Sequence, residues 1–289
     1  MRLFLLPLPP DCIVLNHKCL WGDDRVGIGL ALGSGGAKGF AHVGVIKALE
    51  EAGITIDYIS GSSMGALIAA FYATGMRTVF MEQLATTLRW RHWVDFTVPK
   101  MGMVNGEKVK QMVHMLTKGQ NIEQAKIPLA IVATDLLSRQ RVVFTHGNIA
   151  EAVRASIAIP GVFVPVFTEN AVLVDGGVLD RVPIEAVRNL GASKVIAVDV
   201  SVNSQTTLPQ SMIDVFFQSL DIMQEQVYQS VRSAADIAIT PQLTSIGISQ
   251  FSKAALAIDI GYQSAKAQME EVLRELEKDN HCETYDGAS

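Results

Sequence analysis

The first residues of this sequence that could do chemistry form a short serine segment flanked by glycines. Residues 61–65 (GSSMG) fit the pattern G-x-S-x-G and lie between an apolar stretch and a small-residue stretch, which predict a strand and a helix. A sharp strand-to-helix turn projects its central side chain beyond the sheet, and glycine tolerates the backbone angles involved. Ser63 is therefore the candidate nucleophile, supported by Gly61 and Gly65, with the backbone N–H of Met64 as an oxyanion donor. A plain turn in which serine caps the helix is the structural alternative.

A second glycine-rich turn, residues 33–39 (GSGGAKG), also lies between a predicted strand and a predicted helix. A dinucleotide fingerprint that starts at Gly33 would need glycine where Lys38 stands, and a phosphate-binding P-loop would need Gly-Lys-Ser/Thr, so both nucleotide interpretations fail. What remains is a run of backbone N–H groups with a cation beside it, which suits a developing oxyanion. A turn that serves only close packing is the alternative. Two such turns after successive parallel strands would converge on one cleft.

A nucleophilic serine needs a partner that takes its proton, and the histidines of this sequence supply that partner poorly. A triad on this type of turn places an acid and then a histidine after the serine. Of the six histidines, only His281 follows the best acid candidate, Asp175, and His281 lies in a polar tail. His42 lies one turn into the helix after the glycine-rich turn, where packing or support of that turn is its expected role.

A carboxylate is the better candidate for the base. An apolar stretch at residues 171–174 predicts a strand that delivers Asp175 onto a turn made by Gly176 and Gly177. A carboxylate held beside a serine hydroxyl in a partly dry cleft can accept its proton if the pKa of the carboxyl is raised. An ordinary Asp-Gly turn is the alternative.

The elements around these segments predict an α/β fold with a mostly parallel central sheet and helices on its faces. Strand patterns alternate with glycine turns and helix patterns at the start of the chain, and residues 194–200 read as a continuous apolar run, which is typical of a central parallel strand. The predicted strands are 25–32, 56–60, 129–133, 142–145, 171–174, 194–200 and 236–240, and the predicted helices are 40–51, 66–74, 211–235 and 253–278.

Length and composition suit one large α/β domain or two small ones. We predict a single domain over residues 25–278, preceded by a flexible extension (1–24) and followed by a frayed tail (279–289). The chain has 289 residues, 49% of them hydrophobic, and a net charge of −5, which favours neither disorder nor a nucleic-acid partner. No apolar run reaches the roughly 18–20 residues of a membrane-spanning helix. The three cysteines form no disulfide framework and none neighbours a histidine at a metal-ligand spacing, so we expect no metal and a cytoplasmic location.

An insertion over residues 77–124 is expected to cover one side of the site. Within it, residues 89–93 (RWRHW) interleave basic and aromatic side chains, which are at home at a lipid interface. This cluster suggests transient contact with a membrane surface, and partly buried packing is the alternative reading of the same residues.

Three ordered motifs, GSGGAKG, GSSMG and DGG, together resemble the patatin-like phospholipase family. Residues 154–161 (RASIAIPG) also look like a block of that family, and the resemblance extends from about Val26 to about Ala267. The similarity is greatest to short bacterial members related to neuropathy target esterase. The cyclic-nucleotide-binding and membrane segments of the large esterases have no counterpart in this sequence, so we expect their regulation and anchoring not to apply.

The resemblance implies a Ser-Asp dyad without histidine, formed here by Ser63 and Asp175, in a three-layer α/β/α fold. It implies an oxyanion hole from the glycine-rich turn, with Lys38 as the matching basic residue, and cleavage of acyl esters of phospholipids, lysophospholipids or neutral lipids without a cofactor. The residues assigned to the hole are Gly35, Gly36 and Ala37, in addition to Met64, and the supporting glycines are Gly61, Gly65, Gly176 and Gly177.

Two other functions stay open on the sequence. A binding or adaptor protein would keep the fold without significant turnover, and a histidine-based lipase would use His281. Neither the oligomeric state nor the head group of the substrate follows from the sequence.

Overall fold

The structure is a computed structural model that describes residues 27–87, 101–201 and 234–277, with the positions 95, 98, 208, 215, 218–219 and 222–223. Four of the predicted features lie outside the described residues. They are the N-terminal extension (1–24), the aromatic cluster (89–93), most of the predicted helix 211–235 and the C-terminal tail (279–289).

Eight strands form one sheet within the described residues. Five of them run parallel in the order β8, β7, β1, β2 and β3, and β4, β5 and β6 are antiparallel additions near β3. The seven predicted strands are present with slightly shifted ends, and the two-residue strand β5 has no counterpart in the prediction. The strands are β1 Ile28–Leu32, β2 Tyr58–Ser62, β3 Leu129–Asp135, β4 Gln140–Phe144, β5 Val166–Phe167, β6 Val172–Asp175, β7 Lys194–Val198 and β8 Ile237–Ile239.

The helices include the two that were predicted after the glycine turns, and α2 begins at Met64, directly after the candidate nucleophile. The single predicted helix over 253–278 is two helices, because Gln268 leaves helical angles (φ −98°, ψ 1°). The helices are α1 Ala41–Glu51, α2 Met64–Ala73, α3 Thr78–Thr87, α4 Glu107–Leu116, α5 Ile149–Ser156, α6 Ile184–Asn189, α7 Ala254–Ala267 and α8 Met269–Glu277.

Helices cover both faces of the sheet, because side chains alternate along each central strand. Leu30, Ile59 and Ile131 face the larger core with α1, α2, α5 and α7, whereas Ala31 and Ala197 face α6. This arrangement confirms the predicted three-layer α/β/α fold with a mostly parallel sheet. None of the helices in the described residues is long and apolar enough to cross a bilayer.

Two strands, β2 and β6, lie end to end along the same side of β3 near its carboxyl end. β4 pairs with Ile131–Asp135, so β2 and β6, which overlap that register, must both lie on the opposite edge of β3. β2 ends where Ser62 pairs with Val132, and β6 ends where Asp175 pairs with the next residue, Ala133. The two strands run in opposite directions, so their carboxyl ends meet. The residue after β2 therefore lies beside the last residue of β6.

Two glycines let α1 and α7 approach each other closely behind the glycine-rich turn. A Cβ at Gly44 of α1 would lie 1.9 Å from the carbonyl oxygen of Ile258, and a Cβ at Gly261 of α7 would lie 2.1 Å from that of Ala41. Both distances are far shorter than any real contact, so the backbones pack directly against each other.

Replacing Gly261 by alanine should lower the free energy of unfolding by about 1–3 kcal/mol. The added methyl group must push α1 and α7 apart, which outweighs the better helix propensity of alanine. Urea unfolding followed by circular dichroism measures the change. Gly247→Ala is the matched control, because a Cβ there would lie an ordinary 3.4 Å from Gln250, and it should stay within about 0.5 kcal/mol of the wild type. Equal stability of Gly261→Ala and the wild type would contradict this packing.

Candidate active site

Ser63 adopts a strained backbone conformation at the start of α2. Its φ of 53° and ψ of −121° lie in a region that non-glycine residues rarely occupy, at a cost of about 1–3 kcal/mol. The turn leaves no space for a side chain at Gly65, where a Cβ would lie 2.2 Å from the carbonyl oxygen of Leu32. The predicted supporting glycine at position 65 therefore has a steric reason, and Ser63 is held in a buried position, 5% exposed.

Ser63 and Asp175 share a short hydrogen bond. The Ser63 hydroxyl donates to Asp175 Oδ2 at 2.5 Å, and Asp175 Oδ1 accepts a hydrogen bond of 2.8 Å from the backbone N–H of Gly177. The Asp175 N–H donates to the carbonyl oxygen of Ala158 at 3.0 Å. These contacts orient both oxygens of the carboxyl group, one toward the serine and one toward its own glycine turn.

Burial raises the pKa of Asp175 to about 7, against the opposing effect of the hydrogen bonds from Ser63 and Gly177. The cause is the loss of water around the charged form, which disfavours ionisation of a carboxyl group. A base whose pKa lies near neutral pH is well matched to take a proton from a hydroxyl and return it.

The glycine-rich turn is fixed by hydrogen bonds to its own backbone. The N–H of Gly33 donates to Val198, and the N–H of Ser34 donates to Arg181, at 3.0 and 2.9 Å. The Ser34 carbonyl accepts a 3.1 Å bond from the Ser201 hydroxyl. Two segments far from it in the sequence, one with Arg181 and one with Val198 and Ser201, therefore hold this turn in one place.

His42 supports the same turn, as the sequence suggested, and makes no hydrogen bond with Ser63. Its Nε2 lies 2.7 Å from the carbonyl oxygen of Gly33. Burial lowers the pKa of His42 to about 4, so the ring is neutral at neutral pH and its Nε2–H donates to that carbonyl. His281 lies outside the described residues. Within them, Asp175 is the titratable group that contacts Ser63.

Several backbone N–H groups in the two glycine turns have no acceptor among the described residues. They belong to Gly35 and Gly36 in the glycine-rich turn and to Met64 and Gly65 at the start of α2. Such groups at a helix start favour an anion.

Ala37 differs from the other predicted oxyanion donors. Its N–H donates to the carbonyl oxygen of Ile248 at 2.8 Å, so in this conformation it has no free hydrogen for an oxyanion. The same carbonyl would lie 2.6 Å from a Cβ at Gly36, whose φ is +53°. Glycine is therefore required at position 36 by both its backbone angle and its space. Lys38 is buried in the same turn, at 6% exposed.

The other predicted supporting glycines lie next to the two catalytic candidates. Gly61 belongs to β2, two residues before Ser63, and Gly176 and Gly177 begin the short 3₁₀ turn after Asp175. All three are buried. The structure thus brings the three motifs together where the carboxyl ends of β1, β2 and β6 meet.

Sequence reasoning missed the contribution of Ser156, the last residue of α5. Its hydroxyl accepts a 2.9 Å hydrogen bond from the N–H of Ser63 and donates a 2.6 Å bond to the carbonyl oxygen of Val132. The only signal was its place in the block at residues 154–161, because a buried serine in a helix is otherwise unremarkable in a sequence.

The candidate catalytic residues lie within a region that matches a known protein family. A family model described as "Patatin-like phospholipase" matches residues 30–188, more than half of the chain, and this range includes both candidate catalytic residues. The chain belongs to the patatin-like phospholipase family. The resemblance predicted from the three motifs is thus confirmed.

Relatives of the neuropathy target esterase group match 60–63% of this chain. A Mycobacterium tuberculosis protein named "Uncharacterized NTE family protein" is 40% identical over 183 residues, 62% of this chain and 51% of that protein. Neuropathy target esterase of Drosophila melanogaster is 33% identical over 189 residues, 63% of this chain and 13% of that protein. The lysophospholipase nte1 of Aspergillus fumigatus is 35% identical over 179 residues, 60% of this chain and 12% of that protein. The chain thus spans about half the length of its mycobacterial relative.

Two solved structures share the fold at low sequence identity. VipD from Legionella pneumophila superposes with a TM-score of 0.59 at 16% identity, over 86% of this chain and 67% of that chain. ExoU of Pseudomonas aeruginosa, solved in complex with SpcU, superposes with a TM-score of 0.53 at 14% identity, over 87% of this chain and 53% of that chain. These likenesses support the fold class.

The raised pKa of Asp175 predicts a pH-dependent cost to stability. The folded-state pKa of about 7 lies above the ordinary value of 3.8 for an aspartate, so the folded state binds the proton more tightly, and stability falls as pH rises from about 4 to about 7. Asp175→Asn removes this loss. The variant should gain stability over the wild type by a few kcal/mol from pH 4 to pH 8. Urea unfolding of both proteins at several pH values measures this difference, and a difference that does not change with pH would contradict the raised pKa.

Proposed function

We propose that this chain is a lipid acyl hydrolase in which Ser63 and Asp175 act as a catalytic dyad through an acyl-enzyme intermediate. The observation that carries the proposal is the 2.5 Å hydrogen bond from the Ser63 hydroxyl to Asp175, a carboxyl group whose pKa is raised to about 7. Membership of the patatin-like phospholipase family supports lipid esters as the substrate class.

Acylation begins when Asp175 takes the proton of the Ser63 hydroxyl. The Ser63 oxygen then forms a bond to the carbonyl carbon of the ester, and the carbonyl oxygen becomes an oxyanion. When that intermediate collapses, the bond to the leaving alcohol breaks and Asp175 returns its proton to the alcohol oxygen. The products of this step are a free alcohol and an acyl group on Ser63.

We assign the oxyanion to the N–H groups of the two glycine turns that have no acceptor among the described residues. Gly35 and Gly36 supply donors from one side, and Met64 supplies one from the start of α2. Donors that are fixed before the reaction stabilise developing charge strongly, by roughly 3–4 kcal/mol each. The hydrogen bonds that fix the glycine-rich turn therefore contribute to the rate by keeping these donors in place.

Deacylation uses the same two residues with water in place of the alcohol. Asp175 accepts a proton from water as the water oxygen bonds to the acyl carbon, and the bond from that carbon to Ser63 then breaks. The Ser63 oxygen recovers the proton from Asp175, and a fatty acid leaves. Every proton in the cycle is carried by groups of this chain.

Phospholipids and lysophospholipids are the substrates that we propose within the lipid esters. One relative is named a lysophospholipase and is 35% identical over 179 residues, and another is named an esterase and is 33% identical over 189 residues. An ester whose acyl chain enters the cleft at the carboxyl edge of the sheet would place its carbonyl carbon beside Ser63.

Ser63→Ala and Asp175→Asn should each abolish hydrolysis of a short-chain chromogenic ester, lowering kcat by at least about 1000-fold. Ser62→Ala is the matched control, because the Ser62 hydroxyl is buried without a partner among the described residues. It should keep wild-type activity. Circular dichroism confirms that each variant is folded. A folded wild type without activity toward soluble esters or lysophospholipids would favour a binding or adaptor role instead.

Hydrolysis should also depend on pH through Asp175. Because the reacting form has an ionised carboxylate, kcat/KM should rise with pH, with a midpoint near 7, and then level off. Initial rates with the same soluble ester between pH 5 and pH 9 measure this profile. A rate that is constant over the whole range would show that Asp175 titrates well below it or is not the base.

A further inference from the structure

The hydrogen bonds between β2 and β3 follow a regular pattern that stops at Ser63. The N–H of Ile59 donates to Pro128, the residue before its pair partner Leu129, at 2.9 Å. In a parallel ladder this bond recurs at every second residue. In the observed register, the N–H of Ser63 would therefore donate directly to the carbonyl oxygen of Val132.

Ser156 occupies the place of that missing bond. Its hydroxyl accepts from the N–H of Ser63 at 2.9 Å and donates to the carbonyl oxygen of Val132 at 2.6 Å. One side-chain oxygen thus joins the donor and the acceptor that the ladder would have paired directly. Both groups keep a partner in a buried position, which avoids the cost of leaving them unpaired.

The hydroxyl bridge made by Ser156 separates Ser63 from β3 at the point where β6, rather than β2, begins to pair with β3. Asp175 pairs with Ala133, the residue after Val132, and a Cβ at Gly176 would lie 2.2 Å from the carbonyl oxygen of Val132. A direct bond from Ser63 to that carbonyl would draw the serine backbone into the space next to this turn.

We propose that Ser156 is a positioning residue, whose hydroxyl keeps the Ser63 backbone off β3 and thereby holds the Ser63 hydroxyl within reach of Asp175. This role rests on the proposed function of the dyad. It also engages the N–H of Ser63, which leaves the oxyanion to the donors of Met64 and the glycine-rich turn.

Kinetics of Ser156→Ala with a soluble ester test the proposal. Without the bridge, Ser63 closes onto Val132, so kcat should fall about 100-fold, as expected for a misplacement of about 1 Å, while KM stays unchanged. Ser156→Thr retains the hydroxyl and should restore most of the activity. Ser60→Ala is the matched control, since it also removes a buried hydroxyl, one that belongs to β2 and donates to the carbonyl oxygen of Pro183 at 2.8 Å. It should lose stability but keep kcat.

The pH profile supplies a readout that a merely structural role would not move. The hydrogen bond from Ser63 lowers the pKa of Asp175, so losing that bond in Ser156→Ala should move the rise of kcat/KM to higher pH. If Ser156→Ala does not fold, Ser156→Cys keeps a hydrogen-bonding group at this position, although a weaker one. It should then show the same changes in smaller size.

Unchanged kcat and an unchanged pH profile in a folded Ser156→Ala or Ser156→Cys, beside an active wild type, would overturn the positioning role. If the wild type has no esterase activity, the proposed function fails, and a crystal structure of the variant decides the role of Ser156 independently. A direct bond from the Ser63 N–H to Val132, with the hydroxyl turned away from Asp175, would support it. An unmoved Ser63 would overturn it.

Discussion

The meeting of two strand ends on one edge of β3 is the constraint on which the site depends. β2 brings Ser63 from one direction and β6 brings Asp175 from the other, and adjacent residues of β3, Val132 and Ala133, pair with the two strand ends. The sheet thereby sets the separation of the proposed nucleophile and the proposed base through backbone hydrogen bonds. A rigid scaffold of this kind suits a reaction that tolerates little error in the position of its groups.

Holding the two groups in this way costs stability. Ser63 has unfavourable backbone angles, Asp175 is buried with a raised pKa, and N–H groups of Gly35 and Gly36 have no acceptor among the described residues. Each of these features disfavours the folded state, and each is what the proposed chemistry uses. The close packing of α1 on α7 and the hydrogen bonds around the glycine-rich turn offset part of the cost and keep the site from relaxing.

Local patterns allowed the strands, the two glycine turns and the candidate pair Ser63 and Asp175 to be predicted, because each depends on a few neighbouring residue types. The pairing of β6 beside the end of β2 could not be predicted, since a four-residue strand carries no information about which edge it joins. The engagement of Ala37 by Ile248 and the bridge made by Ser156 were missed for the same reason. Both contacts join residues that are far apart in the sequence and have no distinctive pattern of their own.

The central claim is that Ser63 is the nucleophile and that Asp175 is the base that activates it. Covalent labelling with a fluorophosphonate probe, followed by mass spectrometry of peptides, tests this most directly, because it needs no knowledge of the natural lipid. The account predicts one probe per chain, attached to Ser63, and a large loss of labelling rate in Asp175→Asn. Labelling of a different residue, or equally fast labelling of Ser63 in Asp175→Asn, would contradict it.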